Sequence, residues 1–315
     1  MEKLYQTRDA YGETLVELGK KYPDLVVLDA DIAKSTKTKY FAEAFPDRFF
    51  QMGIAEQNEL GVASGMALSN KLVFVSTYAV FATMKALEQI RTYICYTDAN
   101  VKIVATHGGL TPGNDGATHQ GTEDLGIMRT IPNIKIVVPA DANSTRALIR
   151  EIAKLRGPFY VRLARDPLPK VYEENEGFEI GKAKELIKGK DATIIAIGDM
   201  VSWGLKASKE LQEEDNIQIG VIDMHTLKPL DKEKIVEAAK NTGAIVSLED
   251  HNIFNGLGSA VAEIIAEEYY VPFKRIGIPD CFGESGKYEL LLEKYGMGLK
   301  DIKNAVREVI TKNKI

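Results

Sequence analysis

Short apolar segments recur along the first half of the chain, and segments with helical patterning lie before and between them. The apolar segments cover residues 25–30, 72–77, 101–106, 134–138 and 159–163. The helical segments cover residues 7–20, 80–95 and 142–155, and a further helix begins near residue 56. Strands that alternate with helices of this length form βαβ units. The sequence therefore predicts a mainly parallel β-sheet flanked by helices.

A second region with the same alternation follows an irregular stretch. Residues 166–189 hold a proline-rich turn and an acidic run, a composition that predicts a linker. Beyond it, apolar segments alternate with helical segments at residues 192–197, 206–213, 217–222, 231–241, 244–248, 258–268 and 299–311. A chain of 315 residues can bury two cores of ordinary size. We predict two α/β domains, residues 1–165 and 190–315, joined by the linker 166–189.

Composition narrows the class of protein. The net charge of −5 and the pI near 5.6 give no sign of the clustered basic face that nucleic-acid binding requires. No apolar run approaches the roughly 20 residues that span a bilayer, and the first residues do not resemble a signal peptide. Cys95 and Cys281 are far apart, and the four histidines show no metal-ligand spacing with them. We predict a cytoplasmic protein with no membrane, nucleic-acid or metal site.

The helix that begins near residue 56 is built from unusually small residues. Gly61 and Gly65 lie four residues apart inside it. A glycine in a helix costs about 1 kcal/mol relative to alanine, so the pair predicts close approach by another helix or by a ligand. Glu56 lies in the first turn, where the helix dipole favours even a solvated acid. The same acid, facing the aromatic residues that follow the next strand, would suit a flat, protonatable ring.

Those aromatic residues follow the strand at 72–77. Tyr78, Phe81 and Met84 recur every three residues, a spacing typical of a helix stripe that packs into a core. The same stripe can wall a cavity beside Glu56. Both interpretations fit the spacing alone.

A glycine-rich loop follows the strand at 101–106. It carries His107, Asp115 and His119 within thirteen residues. Parallel α/β sheets bind their ligands at the carboxyl ends of the strands, which is where this loop begins. The loop is therefore the strongest candidate for a binding or catalytic segment.

These motifs resemble transketolases. The run Gly53-Ile54-Ala55-Glu56-Gln57, with the strand to Tyr78 and Phe81, resembles the pyrimidine-binding domain of thiamine diphosphate enzymes, and the loop from His107 to His119 resembles the transketolase loop. The resemblance runs nearly end to end, but only to the C-terminal part of a full-length transketolase. It implies a pyrimidine-binding domain fold for residues 1–165 and a transketolase C-terminal domain fold for residues 190–315. Met84 stands where an aromatic residue is common in the family.

The resemblance also implies roles in binding thiamine diphosphate. Glu56 would hydrogen-bond a ring nitrogen of the cofactor's pyrimidine, and His119 would face the pyrimidine amino group and the donor substrate. These two are the predicted catalytic residues. The predicted cofactor-binding residues, from the pyrimidine face to the dimer interface, are Glu56, Phe81, Tyr78, Ile32 and Asp31.

A second implied site binds a sugar phosphate. Arg8, Ser35 and Arg165 would clamp its phosphate, since a guanidinium fork matches phosphate oxygens with two hydrogen bonds. Asp115 would hydrogen-bond a substrate hydroxyl, and His107 would face the phosphate end. Without the resemblance, surface arginines and a loop serine indicate no site.

The resemblance leaves part of the active site to another chain. Gly198-Asp199-Met200 lacks the final glycine of the family's magnesium motif, so we predict no metal site in this chain. The expected partner is an N-terminal transketolase subunit that binds Mg²⁺ and the diphosphate. The two kinds of subunit would form a hetero-oligomer such as a heterotetramer, and this chain alone would be inactive.

The implied reaction transfers a two-carbon ketol unit from a ketose phosphate of the xylulose 5-phosphate type to an aldose phosphate, in the pentose phosphate pathway. Three alternatives share the architecture. A fragment of deoxyxylulose-phosphate synthase would fit the loop from Asp115 to Gly121, whereas His107 and the surroundings of Arg165 favour transketolase. The beta subunit of a 2-oxo acid dehydrogenase would need no sugar-phosphate clamp. A non-catalytic regulatory subunit could keep the same fold.

Overall fold

The computed structural model describes residues 3–313 and shows two α/β units, each a mainly parallel sheet with helices packed against it. The predicted fold class is confirmed. The terminal residues of the two predicted domains, 1–2 and 314–315, lie outside the described part of the chain.

The first unit runs from the start of the described chain to residue 162. Its elements are β1 Leu4–Tyr5, α1 Thr7–Lys21, β2 Leu25–Asp29, α2 Ala33–Thr36, α3 Lys39–Ala44, β3 Phe49–Gln51, α4 Glu56–Leu68, β4 Leu72–Tyr78, α5 Ala79–Lys85, β5 Val101–Thr106, α6 Asp124–Thr130, β6 Lys135–Val137, α7 Ala142–Lys154 and β7 Phe159–Arg162. A π-helical segment, Gln89–Cys95, follows α5.

The remaining elements belong to the connection and the second unit. They are β8 Leu168–Pro169, β9 Lys184–Ile187, β10 Ala192–Ala196, α8 Met200–Asp215, β11 Ile219–Asp223, β12 Thr226–Lys228, α9 Lys232–Thr242, β13 Ile245–Asn252, α10 Leu257–Glu267, β14 Phe273–Ile278, α11 Tyr288–Lys294 and α12 Leu299–Asn313. None of the described helices is both long enough and apolar enough to cross a membrane.

The first sheet has the strand order β12-β6-β7-β5-β4-β2-β3 within residues 3–313, and its neighbouring strands are parallel except for β12 and β6. Its inner strands send alternate side chains to two apolar cores. Val27 and Phe74 pack in the core that contains α1 and α7, whereas Leu28 and Val75 pack in the core that contains α4. Because both faces of the sheet are buried, its inner strands appear in the sequence as continuous apolar runs.

The second sheet has the order β14-β13-β10-β11-β9, with β9 antiparallel at one edge. Its edge strand lies inside the predicted linker, as does β8, which pairs with β1. The expectation that residues 166–189 lack regular structure is therefore wrong at 168–169 and 184–187. Strands of two to four residues are too short to show the alternation on which the prediction depended.

The two units share a sheet edge. Strand β12 belongs in sequence to the second unit, yet it pairs antiparallel with β6 of the first sheet, with Thr226 opposite Val137. The Lys228 ammonium donates hydrogen bonds to the carbonyl oxygens of Arg129 at 2.9 Å and Ile131 at 2.5 Å. Leu227 packs in the same apolar core as residues of both units. The second unit therefore completes the first sheet.

Two local features differ from the sequence analysis. Residues 33–36, where it placed no element, form α2, and the helix expected at 80–95 breaks between α5 and the π-helical segment. Within the described chain, no other segment packs closely against the two glycines of α4. A Cβ atom added at Gly65 would meet nothing within 4 Å in the described chain, and one at Gly61 would meet only the Tyr93 ring at 4.0 Å. This face of α4 is open.

Candidate active site

A cleft of about 520 Å³ lies at the carboxyl ends of the first sheet's inner strands. Tyr78 ends β4, His107 follows β5 and Arg165 follows β7, so the parallel register brings their side chains to one edge. The residues that line the cleft, all of which the sequence predicts for the site, are Arg8, Ser35, Tyr78, His107, Asp115, His119 and Arg165.

His107 is buried at the floor of this cleft. Its ring stacks on that of Tyr78 with 3.7 Å between centroids, and its Nδ1 lies 2.8 Å from the Thr106 hydroxyl. Burial lowers the pKa of His107 to about 2, and the charges of Arg8 and Arg165 act in the same direction. The imidazole is therefore neutral at ordinary pH and offers a hydrogen bond rather than a charge.

Two guanidinium groups give the cleft a cationic end. Arg8 donates from Nη1 to the Ser35 carbonyl at 2.8 Å and from Nη2 to the Arg165 carbonyl at 2.9 Å. Its Nε has no hydrogen-bond partner among the described residues. Burial lowers the pKa of Arg8, and the nearby Arg165 lowers it further. Because both groups stay charged, an anion between them would relieve their repulsion.

Arg165 also reaches the carboxylate end of the loop. Its Nε lies 3.5 Å from Asp115 Oδ2, and its Nη1 lies 3.0 Å from Asp166 Oδ1. These side chains are about one-third exposed, so the ion pairs are screened by solvent and contribute little to stability. Both ion pairs can therefore rearrange when a ligand enters the cleft.

An acid, a cation and an aromatic ring form a second group beside the cleft. Glu56 begins α4 and is almost fully buried. The Lys85 ammonium lies 3.0 Å from Glu56 Oε1 and 4.2 Å from the centroid of the Phe81 ring. Phe81 in turn contacts Tyr78 and the edge of His119, with centroid distances of 5.4 and 5.5 Å. This group, which we call the acid–aromatic slot, is continuous with the cleft.

Lys85 is the residue of this slot that the sequence analysis missed. It follows Phe81 by four positions on α5, so the two side chains share one face of the helix. That spacing could have pointed to a cation beside the predicted ring-binding aromatic residue.

Glu59 is a second buried acid, one turn beyond Glu56. Neither of its carboxyl oxygens has a hydrogen-bond partner of normal geometry among the described residues. Burial raises the pKa of Glu59 well above its ordinary value, and the neighbouring carboxyl groups of Asp29 and Glu56 raise it further. The backbone of Ser76 offsets this shift only in part. The acid therefore favours its neutral form.

Three further residues of the sequence prediction lie outside the cleft. Asp31 follows β2 in a left-handed backbone conformation, and its N–H donates to Gln51 Oε1 at 2.6 Å. The Ile32 N–H donates to Asp29 Oδ1 at 2.7 Å. Met84 is half exposed on α5. Their predicted contacts with a cofactor or another chain stay predictions.

Within residues 3–313, no group of three or more histidine, cysteine, aspartate or glutamate side chains is arranged to hold a metal ion. The site instead combines a parallel sheet, an acid–aromatic slot and a cleft with two guanidinium groups.

Family models match both units, one described as transketolase, pyrimidine binding domain, at residues 3–170, and one described as transketolase, C-terminal domain, at residues 181–302. Fold and site thus define the pyrimidine-binding class of thiamine diphosphate proteins.

Individual relatives narrow this class. The chain is 48% identical to a protein assigned as a transketolase C-terminal section in Methanocaldococcus jannaschii, over 97% of this chain and 96% of that protein. It is 39% identical to a 6-deoxy-6-sulfo-D-fructose transketolase subunit of Clostridium sp. (strain MSTE9), over 96% of this chain and 94% of that protein. A solved structure described as a split gene transketolase, inactive β4 tetramer, matches with a TM-score of 0.91 at 50% identity, covering 98% of this chain and 99% of that chain. The chain belongs to the transketolase family and is an enzyme subunit made of these two domains.

Proposed function

We propose that the chain is the C-terminal subunit of a thiamine diphosphate-dependent transketolase. It transfers a two-carbon ketol unit from a ketose phosphate of the xylulose 5-phosphate type to an aldose phosphate, as in the pentose phosphate pathway of the cytoplasm. Residues 1–165 form its pyrimidine-binding domain, residues 166–189 its linker and residues 190–315 its C-terminal domain. A partner subunit supplies the site for Mg²⁺ and the diphosphate.

The observation that carries this proposal is the position of the Lys85 ammonium between Glu56 and Phe81. This cation donates to the acid at 3.0 Å and lies 4.2 Å from the ring centroid, an arrangement that supports binding of a positively charged donor over the aromatic face. A protonated aminopyrimidine has the same charge, a donor N–H and a flat face. The residues present therefore fit the pyrimidine of thiamine diphosphate, provided that the half-exposed Lys85 side chain moves aside.

Each residue of the slot has a defined task in this function. When bound, thiamine diphosphate supplies a carbon nucleophile that attacks the ketose carbonyl. Glu56 holds a proton at a nitrogen of the pyrimidine ring, and Phe81 provides the wall against which the ring lies. His119, which contacts the edges of both Tyr78 and Phe81, exchanges protons with substrate oxygens.

The cleft binds the sugar phosphate. Arg8 and Arg165 are tied to each other through a backbone carbonyl and attract the phosphate group between them. Ser35 lies beside this pair. Asp115 accepts a hydrogen bond from a substrate hydroxyl, and neutral His107 hydrogen-bonds the phosphate end without adding charge.

The partner is supported by what the described chain holds and by its relatives. Both catalytic candidates, Glu56 and His119, lie in this chain, whereas residues 3–313 contain no group of three or more histidine, cysteine, aspartate or glutamate side chains arranged to hold a metal ion. The related split-gene structure is described as an inactive tetramer of one subunit type. We accordingly expect this chain to self-associate without activity and to gain activity in a hetero-oligomer, such as a heterotetramer, with an N-terminal transketolase subunit.

The decisive experiment is reconstitution with the partner subunit, Mg²⁺ and thiamine diphosphate. Ketol transfer from xylulose 5-phosphate to ribose 5-phosphate supports the proposal. Condensation of pyruvate with glyceraldehyde 3-phosphate would indicate a deoxyxylulose-phosphate synthase, and decarboxylation of a 2-oxo acid alone would indicate a dehydrogenase subunit. Turnover by this chain without a partner would contradict the proposed assembly.

The slot is tested by Glu56→Gln in the reconstituted enzyme. Loss of a proton-carrying group lowers general acid–base catalysis by about 100-fold or more. We expect kcat to fall by that order and the thiamine diphosphate concentration for half-maximal activity to rise. Glu43→Gln, an exposed acid away from the cleft, serves as the control and should leave both values unchanged. Full activity of Glu56→Gln at an unchanged cofactor requirement would overturn the assignment.

A second donor substrate is worth the same assay, because one relative is a 6-deoxy-6-sulfo-D-fructose transketolase subunit. A sulfonate is an anion with three oxygens, which two guanidinium groups can bind much as they bind a phosphate. The ratio of kcat/KM for 6-deoxy-6-sulfofructose to that for fructose 6-phosphate decides which anion the cleft of this chain prefers.

A further inference from the structure

The loop that carries the substrate-binding candidates has a constrained backbone. Residues 107–121, called the substrate loop below, begin with His107 at φ +63° and Gly109 at φ +60°. A histidine rarely adopts this left-handed conformation, and it persists only where surrounding contacts enforce it. Contacts that hold the start of the loop therefore decide where the His107 ring points.

One of these contacts comes from the second unit. Asp250 lies near the end of β13 and is fully buried. Its carboxyl oxygens accept the Leu110 N–H at 3.0 and 2.9 Å. Gly109 lies directly on the same group, since a Cβ atom there would be 2.1 Å from Asp250 Oδ2. The backbone turn after His107 is thus fitted to a carboxyl group of the other domain.

A second contact reaches the far part of the loop. The segment 283–286, which lies between β14 and α11, accepts a hydrogen bond from Gln120 Nε2 at the Glu284 carbonyl, at 3.0 Å. The Gly286 N–H donates to the Gly113 carbonyl at 3.3 Å. A Cβ atom at Gly116 would lie 2.6 Å from Ser285 Oγ. Asp115 and His119 are therefore flanked by loop positions that rest on the second unit.

Buried charges fix Asp250 itself. Arg162 of β7 donates from Nη2 to the carbonyl oxygens of Asp250 at 2.5 Å and Gly121 at 3.1 Å, and its Nε lies 3.1 Å from Asp124 Oδ2. Burial raises the pKa of Asp250, and the neighbouring Asp199 adds to the shift while Arg162 opposes it. Arg162 thus connects the first sheet, the end of the substrate loop and the second unit.

We propose that Asp250 is a positioning residue for substrate binding: it sets the orientation of His107, and with it the phosphate end of the cleft, by holding the Leu110 amide. This rests on the proposed transketolase function. The second unit then has a part in the reaction although none of its side chains lines the cleft. Asp250 acts through the loop and not on the substrate.

The test compares three variants of the reconstituted two-chain enzyme. Asp250→Ala removes both acceptors, whereas Asp250→Asn keeps one carbonyl oxygen for the Leu110 amide. Glu249→Ala is the matched control, because Glu249 is the adjacent residue of β13, equally buried, and accepts from Leu257 and Gly258 at the start of α10 instead of the loop. Both alanine variants remove a buried acid.

Misplacing a binding group by about 1 Å can cost roughly 100-fold in rate. We expect Asp250→Ala to raise KM for the ketose phosphate and to lower kcat/KM by about 10- to 100-fold, with half-saturation by thiamine diphosphate within twofold of the parent. Asp250→Asn should recover most of the loss, and Glu249→Ala should keep the parent's substrate KM. Equal kinetics for the two alanine variants, or no recovery by the asparagine, would overturn the proposal.

A readout that needs no turnover separates this proposal from the proposed function. Amide hydrogen exchange of residues 107–121 in the full chain should accelerate at least tenfold in Asp250→Ala and not in Glu249→Ala. If Asp250→Ala does not accumulate, Gln120→Met, which removes the contact to Glu284, should raise exchange at 113–121 and raise KM in the same sense. Unchanged exchange in both variants contradicts the positioning role, whereas accelerated exchange in an enzyme without ketol transfer contradicts only the proposed reaction.

Discussion

Burial sets the charge of several histidines in this chain. His107, His225 and His251 are buried, and desolvation lowers the pKa of each, to about 2 for His107 and about 4 for His225. A buried imidazole in a cationic cleft costs least when it is neutral. His107 therefore adds no positive charge to the cleft, whereas Arg8 and Arg165 do.

We predict that His107 does not titrate between pH 4 and 9. Its folded pKa lies below the value in the unfolded chain, so its share of the folding free energy is present above about pH 6.5 and is lost as the pH falls. Proton NMR of the full chain, with His107→Gln to assign the signal, should show a constant imidazole shift over this range. A midpoint near pH 6.5 would show that the ring is solvated and would contradict the stacked position on Tyr78.

Glu59 gives the opposite pH dependence. Its folded pKa is raised, so folding loses stability as the pH rises above the ordinary value of 4.5. Replacement by glutamine removes the ionisation, and we expect Glu59→Gln to raise the free energy of unfolding by about 1–3 kcal/mol at pH 8 and by little at pH 4.

Urea denaturation of the full chain at both pH values measures this difference. Glu43→Gln, at an exposed position, should show no gain at either pH. A gain of the same size at pH 4 and pH 8 would mean that the pKa of Glu59 is the same in the folded and the unfolded chain, and a loss at pH 8 would mean that its carboxylate has a partner.

At the scale of elements, the glycines of α1 and α4 differ in whether packing within the chain explains them. In α1, a Cβ atom at Gly19 would lie 2.4 Å from Phe45 Cε2, so only glycine fits between this helix and the aromatic residues of the α3 region. In α4, a Cβ atom at Gly65 would meet no atom within 4 Å in the described chain. Gly19 is explained by packing within the chain, whereas Gly65 is not.

We therefore predict opposite effects of alanine at the two positions. Gly65→Ala should raise the free energy of unfolding of the chain alone by about 1 kcal/mol through helix propensity, and Gly19→Ala should lower it by about 1–3 kcal/mol through overpacking. Chemical denaturation measures both. If the partner subunit covers this face of α4, Gly65→Ala also weakens association, which titration calorimetry with the partner would detect.

Destabilisation of the chain by Gly65→Ala would contradict the open face of α4. If Gly65→Ala stabilises the chain but leaves its affinity for the partner subunit unchanged, the partner binds elsewhere on the surface.

The long elements could be predicted from the sequence, because each carries its own signal. The strand expected at 101–106 is β5, and α7 begins where Asp141 caps it, with the Ser144 N–H donating to Asp141 Oδ1 at 2.7 Å. The helix α2 could not, since it depends on contacts made after folding. Asp29 at the end of β2 accepts from Thr36 and Thr38 at 2.7 and 2.8 Å and so closes this turn.

The residues of the candidate site likewise differ in how far the sequence could predict them. His107, Asp115 and His119 lie in one loop, so a single stretch of sequence points to all three. Arg8 contacts the carbonyl oxygen of Arg165, which lies 157 residues away in the sequence. Only the family resemblance indicated that the two residues belong to one site. Asp250, 140 residues from Leu110, carries no local signal and was missed.

At the scale of the whole molecule, strand β12 and the shared apolar core join the two units. We predict a single cooperative transition for the full chain in calorimetry, because separation of the units would expose the edge of β6 and the apolar surface around Leu227. A fragment ending at residue 189 should aggregate, whereas the full chain should not. Two resolved transitions, or a monomeric, folded fragment 1–189, would contradict this.

Strand β12, which the second unit contributes to the first sheet, also limits how such proteins can be recombined. A chimaera that joins the front half of one relative to the back half of another inherits a foreign β12 against a native β6, together with a foreign carboxyl group beneath the turn after His107. Homologues would therefore be interchangeable as complete chains more readily than as halves, and a successful hybrid would have to import residues 226–228 and 249–252 from the parent that supplies the front half.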